Sequence, residues 1–181
     1  MIGRRPIVVA WMMALSLPAL GQVRPSAWDI ASYQGLHRAA HTGDLADIRR
    51  LAEQGGDIDA RDGHGRTAFH VACFARNVDV MRALVAAGAN PRALEAQAYD
   101  CITIAAVADD LTTMKVAIEL GGNPKEITSP YRGTALIAAA HLGHDAVVKA
   151  LIEAGAPLDH VNNLHWTALI EAVVLGNGGT R

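Results

Sequence analysis

Residues 67–72 read Thr67-Ala68-Phe69-His70-Val71-Ala72, and weakened forms of this stretch return on both sides. Upstream stands Gln34-Gly35-Leu36-His37-Arg38-Ala39. Downstream stand Asp100-Cys101-Ile102-Thr103-Ile104-Ala105, Thr134-Ala135-Leu136-Ile137-Ala138-Ala139 and Thr167-Ala168-Leu169-Ile170-Glu171-Ala172. Their starts fall at positions 34, 67, 100, 134 and 167, a nearly constant step of about 33 residues. A fixed period of this length marks a stack of supersecondary units, each burying the apolar face its neighbour leaves open.

A second mark travels in phase with the first: Gly55-Gly56-Asp57, Gly88-Ala89-Asn90-Pro91, Gly121-Gly122-Asn123-Pro124 and Gly155-Ala156-Pro157. Each follows an apolar helical run, where glycine takes the left-handed conformation that ends a helix and the next Asn or Pro turns the chain away. Val80, Met81, Leu84 and Val85 carry the three- and four-residue spacing of an amphipathic helix, and Ala72 with Cys73 gives its neighbour a small-residue face. Each unit therefore reads helix, turn, helix, loop.

A unit of this period with a T-x-L-H-x-A-like start and a G-A-N/D-x end resembles the ankyrin repeat, over about residues 27 to 181. The resemblance implies an all-α solenoid of about five helix-turn-helix repeats with β-turn fingers between them, the last repeat incomplete. The repeats fall at approximately 27–61, 62–94, 95–128, 129–161 and 162–181. Ala68, Ala135 and Ala168 stand where that family often has Pro, and Asp100-Cys101 where Thr-Pro is usual, which weakens the third repeat's helix start. The motif residues Thr67, Thr134, Thr167, His37, His70, Gly55, Gly88, Gly121 and Gly155 take structural roles on this reading. The family's histidine bonds across the helix start to neighbouring backbone, so His37 and His70 are expected to be structural rather than metal ligands.

Composition agrees with one mainly helical domain. Of the 181 residues, 51% are hydrophobic and only 4% aromatic, and the 19% that are charged are mixed in sign. The formal charge is -2, and loss of Arg4 and Arg5 with a leader would leave 14 basic against 18 acidic side chains, or -4. Phosphate binding needs a concentrated basic face, so nucleic acid is excluded as a partner.

The first residues read as an address. Arg4 and Arg5 precede an apolar run from Ile7 to Leu17, then Ala19-Leu20-Gly21 and a polar turn at Gln22. That layout predicts a secretory signal peptide over 1–21, cut after Gly21, and a repeat domain over 22–181. The run, broken by Pro18, falls short of the roughly 20 residues that span a bilayer. The mature chain is expected to be periplasmic or secreted, monomeric and free of the membrane.

No motif for catalysis emerges: a nucleophile elbow and a glycine-rich phosphate loop are both missing from the sequence, so no enzyme, cofactor or metal is expected. His41 and His141 share a repeat position but stand too far apart to hold one ion, and no carboxylate or thiol falls in register with His37 and His70. Cys73 and Cys101 are offset in repeat register, which predicts a separation beyond the roughly 7 Å Cα limit for bridging and two free, mostly buried thiols.

By resemblance, a partner protein lies across finger tips and inner helices. Register places His64, Arg66, Gln97, Tyr99, Tyr131, Arg132, Leu164, His165 and Trp166 on the fingers, and His41, Phe74 and His141 on inner helices. Tyr, Trp and Arg dominate binding hot spots because they join large area to directed hydrogen bonds. Trp166 and the tyrosines could equally pack on the next finger, and Glu171 could face a partner or the neighbouring repeat.

The expected function is an exported protein-binding scaffold. A metal- or redox-linked accessory role is the alternative, since some bacterial periplasmic ankyrin proteins assist a catalase in oxidative-stress defence. The fifth repeat stops at Arg181 before a second helix, so the natural chain is expected to continue; the run Leu169 to Gly179 resembles exported bacterial members in which a Gly-rich stretch precedes further repeats.

Overall fold

The computed structural model describes residues 24–174. The expected leader and the glycine-rich stretch after Val174 lie outside them. Among the described residues ten helices follow in order: α1 Ala27–Ser32, α2 Gly35–Thr42, α3 Leu45–Glu53, α4 Ala68–Phe74, α5 Val78–Ala86, α6 Cys101–Val107, α7 Leu111–Glu119, α8 Ala135–Leu142, α9 Asp145–Glu153 and α10 Ala168–Val174. The even-numbered helices from α2 to α10 stack as an inner row, and α3, α5, α7 and α9 as an outer row. Among the described residues the one β feature is an isolated bridge, Thr128 to Gly133, inside a finger. The all-α solenoid read from the period is the observed fold.

The repeat motif explains each inner helix. Phe69, Ile102 and Leu136, one register position in three successive repeats, are buried between the rows with Ile48, Met81, Leu84, Met114 and Leu151. Truncating such a side chain to Ala costs about 3–5 kcal/mol for Phe and about 2–5 kcal/mol for Leu or Ile. Where the motif opens with Asp or Thr its side chain caps the helix start, as Asp100 accepts from the Thr103 amide at 2.8 Å and Thr134 accepts from that of Ile137 at 3.3 Å, while Gln34 makes no such bond. The atypical Asp100-Cys101 start therefore still makes a helix.

His70 clamps its repeat to the next. Its Nδ1 accepts from the Thr67 amide at 3.2 Å and lies 2.9 Å from the Thr67 hydroxyl, so Nε2 carries the proton, facing the Tyr99 carbonyl at 3.3 Å. Burial holds its pKa down at about 4, consistent with a neutral ring. His37 repeats the clamp, with Nε2 2.9 Å from the Arg66 carbonyl. Further along the array this position becomes Thr103, whose hydroxyl pairs with that of Thr128 at 2.8 Å, then Ile137.

Besides the glycine after each outer helix, at Gly55, Gly88, Gly121 and Gly155, two further turns of the repeat take a left-handed residue. Between the helices stand Gly43, Arg76, Asp109 and Gly143; at the finger stand Gly65, Ala98, Arg132 and His165, all with positive φ. Where the residue is not glycine, that conformation costs roughly 1 kcal/mol. Arg76, Ala98 and Asp109 place such residues in the second and third repeats.

Among the described residues the first repeat has no leading finger. Helix α1 occupies that place, capped by Ser26, which accepts from Asp29 N at 3.1 Å while the Asp29 carboxylate accepts from Ser26 N at 2.8 Å. One expectation is overturned: Cys73 and Cys101 are not separate thiols but a disulfide, their Cα atoms 5.9 Å apart. The register offset assumes neighbouring inner helices stand level. Instead the end of α4 lies against the first turn of α6, with Cys73 Sγ 3.2 Å from the Cys101 carbonyl oxygen.

Candidate protein-docking surface

Three finger junctions are tied by backbone hydrogen bonds: Ala96 N to His64 O at 3.0 Å, Ser129 N to Ala98 O at 2.9 Å, and Asn163 N to Tyr131 O at 3.0 Å. The middle pairing differs because Pro130 holds the register position of Ala96 and Asn163 and has no N–H to give. The fingers thus form a laterally braced row whose tips are His64, Gln97, Tyr131 and Leu164. His64 and Leu164 are exposed, Gln97 and Tyr131 half-buried. A second row runs along the inner helices: His41, Phe74 and Val107 are half-buried, and His141 is exposed.

Two sequence-named contact residues lie elsewhere. Arg66 is fully buried, its Nε 2.6 Å from Asp62 Oδ2 and its Nη2 3.1 Å from Asp29 Oδ2. Tyr33 donates its hydroxyl to Asp62 at 3.1 Å. This network docks α1 on the first finger. The Ser26 backbone hydrogen bond, aided by Arg66, holds the Asp29 pKa down at about 2. Burial works against ionisation of Asp62, yet hydrogen bonds from the Arg66 backbone and side chain hold its pKa below the ordinary value. Tyr99 is buried as well, and desolvation raises its pKa.

The physical reason is one of register. Tyr33, Arg66, Tyr99, Gly133 and Trp166 share the position just before the motif, where the chain turns from finger into inner helix and the side chain points into the stack. Gly133 and Tyr33 in that column were the available signal that it faces inward. Trp166, in the last described repeat, is half-buried.

The remaining candidates concentrate in repeats four and five. Tyr131 and Arg132 sit on one finger, with Leu164, His165 and Trp166 on the next, and Arg132, Leu164 and His165 are exposed. The Arg132 carbonyl is 2.7 Å from His160 Nε2, which ties the two fingers together. Beneath them His141, in the last turn of α8, has Nδ1 2.9 Å from Oε2 of Glu171, a buried carboxylate in α10. Glu171 therefore faces the neighbouring repeat. The pair was not legible in the sequence, because two residues so far apart along the chain become adjacent only when the repeats stack.

The histidines do not converge: His144 Nδ1 is 2.8 Å from the Ala106 carbonyl, and His37 and His70 also face carbonyls. Among the described residues there is no group of three or more His, Cys, Asp or Glu placed to hold a metal ion, and no helix long and apolar enough to cross a membrane. Both cysteines of the described chain stand in the Cys73–Cys101 bridge.

Two rows of helices, braced fingers and a variable surface along them define a repeat scaffold of the protein-interaction class. The family described as ankyrin repeats (3 copies) matches residues 23–95 and 102–179. The chain belongs to the ankyrin-repeat family, whose arrays are generic protein–protein interaction modules.

Proposed function

We propose that this chain is an exported scaffold that binds a partner protein through the fingers and inner helices of its fourth and fifth repeats. The observation that carries the reading is the sorting of the candidate residues. Arg66 and Tyr99 are spent inside the stack, while Arg132, His141, Leu164 and His165 are exposed and Tyr131 and Trp166 are partly so. A half-buried aromatic anchor beside an exposed Arg and apolar tip is the composition of an interface core. Export is supported by the leader-like stretch from Met1 to Gly21 and by the disulfide, which persists in oxidising compartments.

The test is affinity capture from periplasmic extract with residues 22–181, followed by purification of the captured protein and titration against wild type and a Tyr131→Ala, Leu164→Ala double variant. At least tenfold weaker binding by the variant, with its helical content and melting temperature unchanged, supports the reading. Equal affinity moves the partner off these fingers. N-terminal sequencing of the exported protein checks the leader: a chain beginning at Gln22 is expected, and one retaining Met1 overturns export by cleavage.

A further inference from the structure

We propose that the Cys73–Cys101 bridge is a clamp on the weakest junction of the array, so that the second and third repeats are held together firmly only in a chain that has folded under oxidising conditions.

Two features coincide with the bridge at this junction. Cys73 lies three residues before left-handed Arg76, and Cys101 three residues after left-handed Ala98; left-handed Asp109 ends the same repeat's inner helix. The equivalent turn positions in the first and fourth repeats are Gly43 and Gly143, and the preceding finger has Gly65. Between the helices, strain that glycine relieves in the first and fourth repeats therefore falls in the second and third, on both sides of the bridge, whereas the finger position is left-handed without glycine in the later repeats too, at Arg132 and His165. The third repeat also opens with Asp100, a buried carboxylate whose pKa desolvation raises, where three other repeats open with threonine.

The cysteines themselves stand at alanine positions. In the first, third and fourth repeats the column of Cys73 holds Ala40, Ala106 and Ala140, and in the second, fourth and fifth that of Cys101 holds Ala68, Ala135 and Ala168, all buried; the remaining members are Val173 and Gly35. Close packing of the inner row needs a small residue at these places. A thiol pair there adds a covalent link without altering the contact.

Bridge formation removes two electrons and two protons from the two thiols. They pass by thiol–disulfide exchange to an oxidant that itself carries a disulfide and leaves as a dithiol. Reduction is the reverse, with a dithiol such as dithiothreitol ending as its own cyclic disulfide. Both cysteines are buried, so exchange requires the junction to open first. The device is a clamp set during folding, not a rapid sensor.

In repeat arrays, stability is set by each unit and its contact with its neighbours, so loss of one link acts locally. The experiment is amide hydrogen exchange read by mass spectrometry on oxidised residues 22–181 and on the Cys73→Ala, Cys101→Ala double variant. Alanine is the array's own residue at both positions, so the variant retains the packing. At least tenfold faster exchange in α4, α6 and the intervening finger is expected, with α8 and α9 unchanged within about twofold. Adding Ala98→Gly and Asp109→Gly to the double variant should recover most of the lost protection. Unchanged exchange at the junction, an equal loss along the whole array, or no recovery with the glycines would each overturn the clamp. The readout involves no partner, so it stands or falls apart from the binding reading.

Discussion

His141 Nδ1 lies 2.9 Å from Oε2 of Glu171, and this contact ties the last turn of α8 to α10 across two repeats. The carboxylate is buried while half of the histidine side chain meets solvent. A double-mutant cycle with Glu171→Gln and His141→Gln, read by urea denaturation, should give a coupling on the order of 1 kcal/mol. Additive effects of the two substitutions would show that the contact contributes nothing to joining the repeats.

His70 should make stability fall with acid. Its folded pKa is about 4 against an ordinary 6.5, so the unfolded chain binds the proton first. The contribution is fully present above pH 6.5 and is lost as pH falls through that window towards 4, amounting to about 3 kcal/mol across it. Thr103 occupies the same register position, which makes His70→Thr the matched control. Urea unfolding at pH 7 and pH 4.5 should show a flatter dependence in the variant; an unchanged slope would mean that the ring is not buried neutral.

Ala98→Gly should stabilise the fold by roughly 0.5–1 kcal/mol, since Ala98 holds φ +61° at the finger position where the preceding repeat has Gly65. Gly65→Ala should do the opposite, because φ is +73° and an added Cβ would stand 3.0 Å from the Ala96 amide nitrogen. Thermal melts of both variants settle the sign.

Asp100→Thr should raise stability at neutral pH and lose that advantage in acid. Burial raises the Asp100 pKa above its ordinary 3.8, so the folded chain holds the proton more tightly than the unfolded one. The ionised group therefore weighs against folding as pH rises through the folded value, and the penalty is absent below 3.8. Threonine keeps the cap, as Thr134 does. Melting temperatures compared at pH 7 and pH 3.5 test this: a variant no more stable at pH 7 would contradict it.

The fold was legible because the array repeats. A fixed period and a glycine after each outer helix are local facts, and together they dictate stacked helix pairs without any knowledge of contacts. The structural role of His70 at its helix start was implied by the family resemblance; its reach to the Tyr99 carbonyl of the next repeat came from the structure.

The docking surface was legible only in part. Register identified the finger tips, but it placed Arg66 and Tyr99 among them too, and only the packed structure shows the column before each motif turning inward. The Cys73–Cys101 bridge and the His141–Glu171 pair were hidden for a related reason. Sequence by itself determined what repeats along the chain, because periodicity needs only spacing and residue type. Which side chains meet between neighbouring units was decided by the tertiary structure, since the lean of one inner helix on the next shifts residues along the stack relative to a level arrangement.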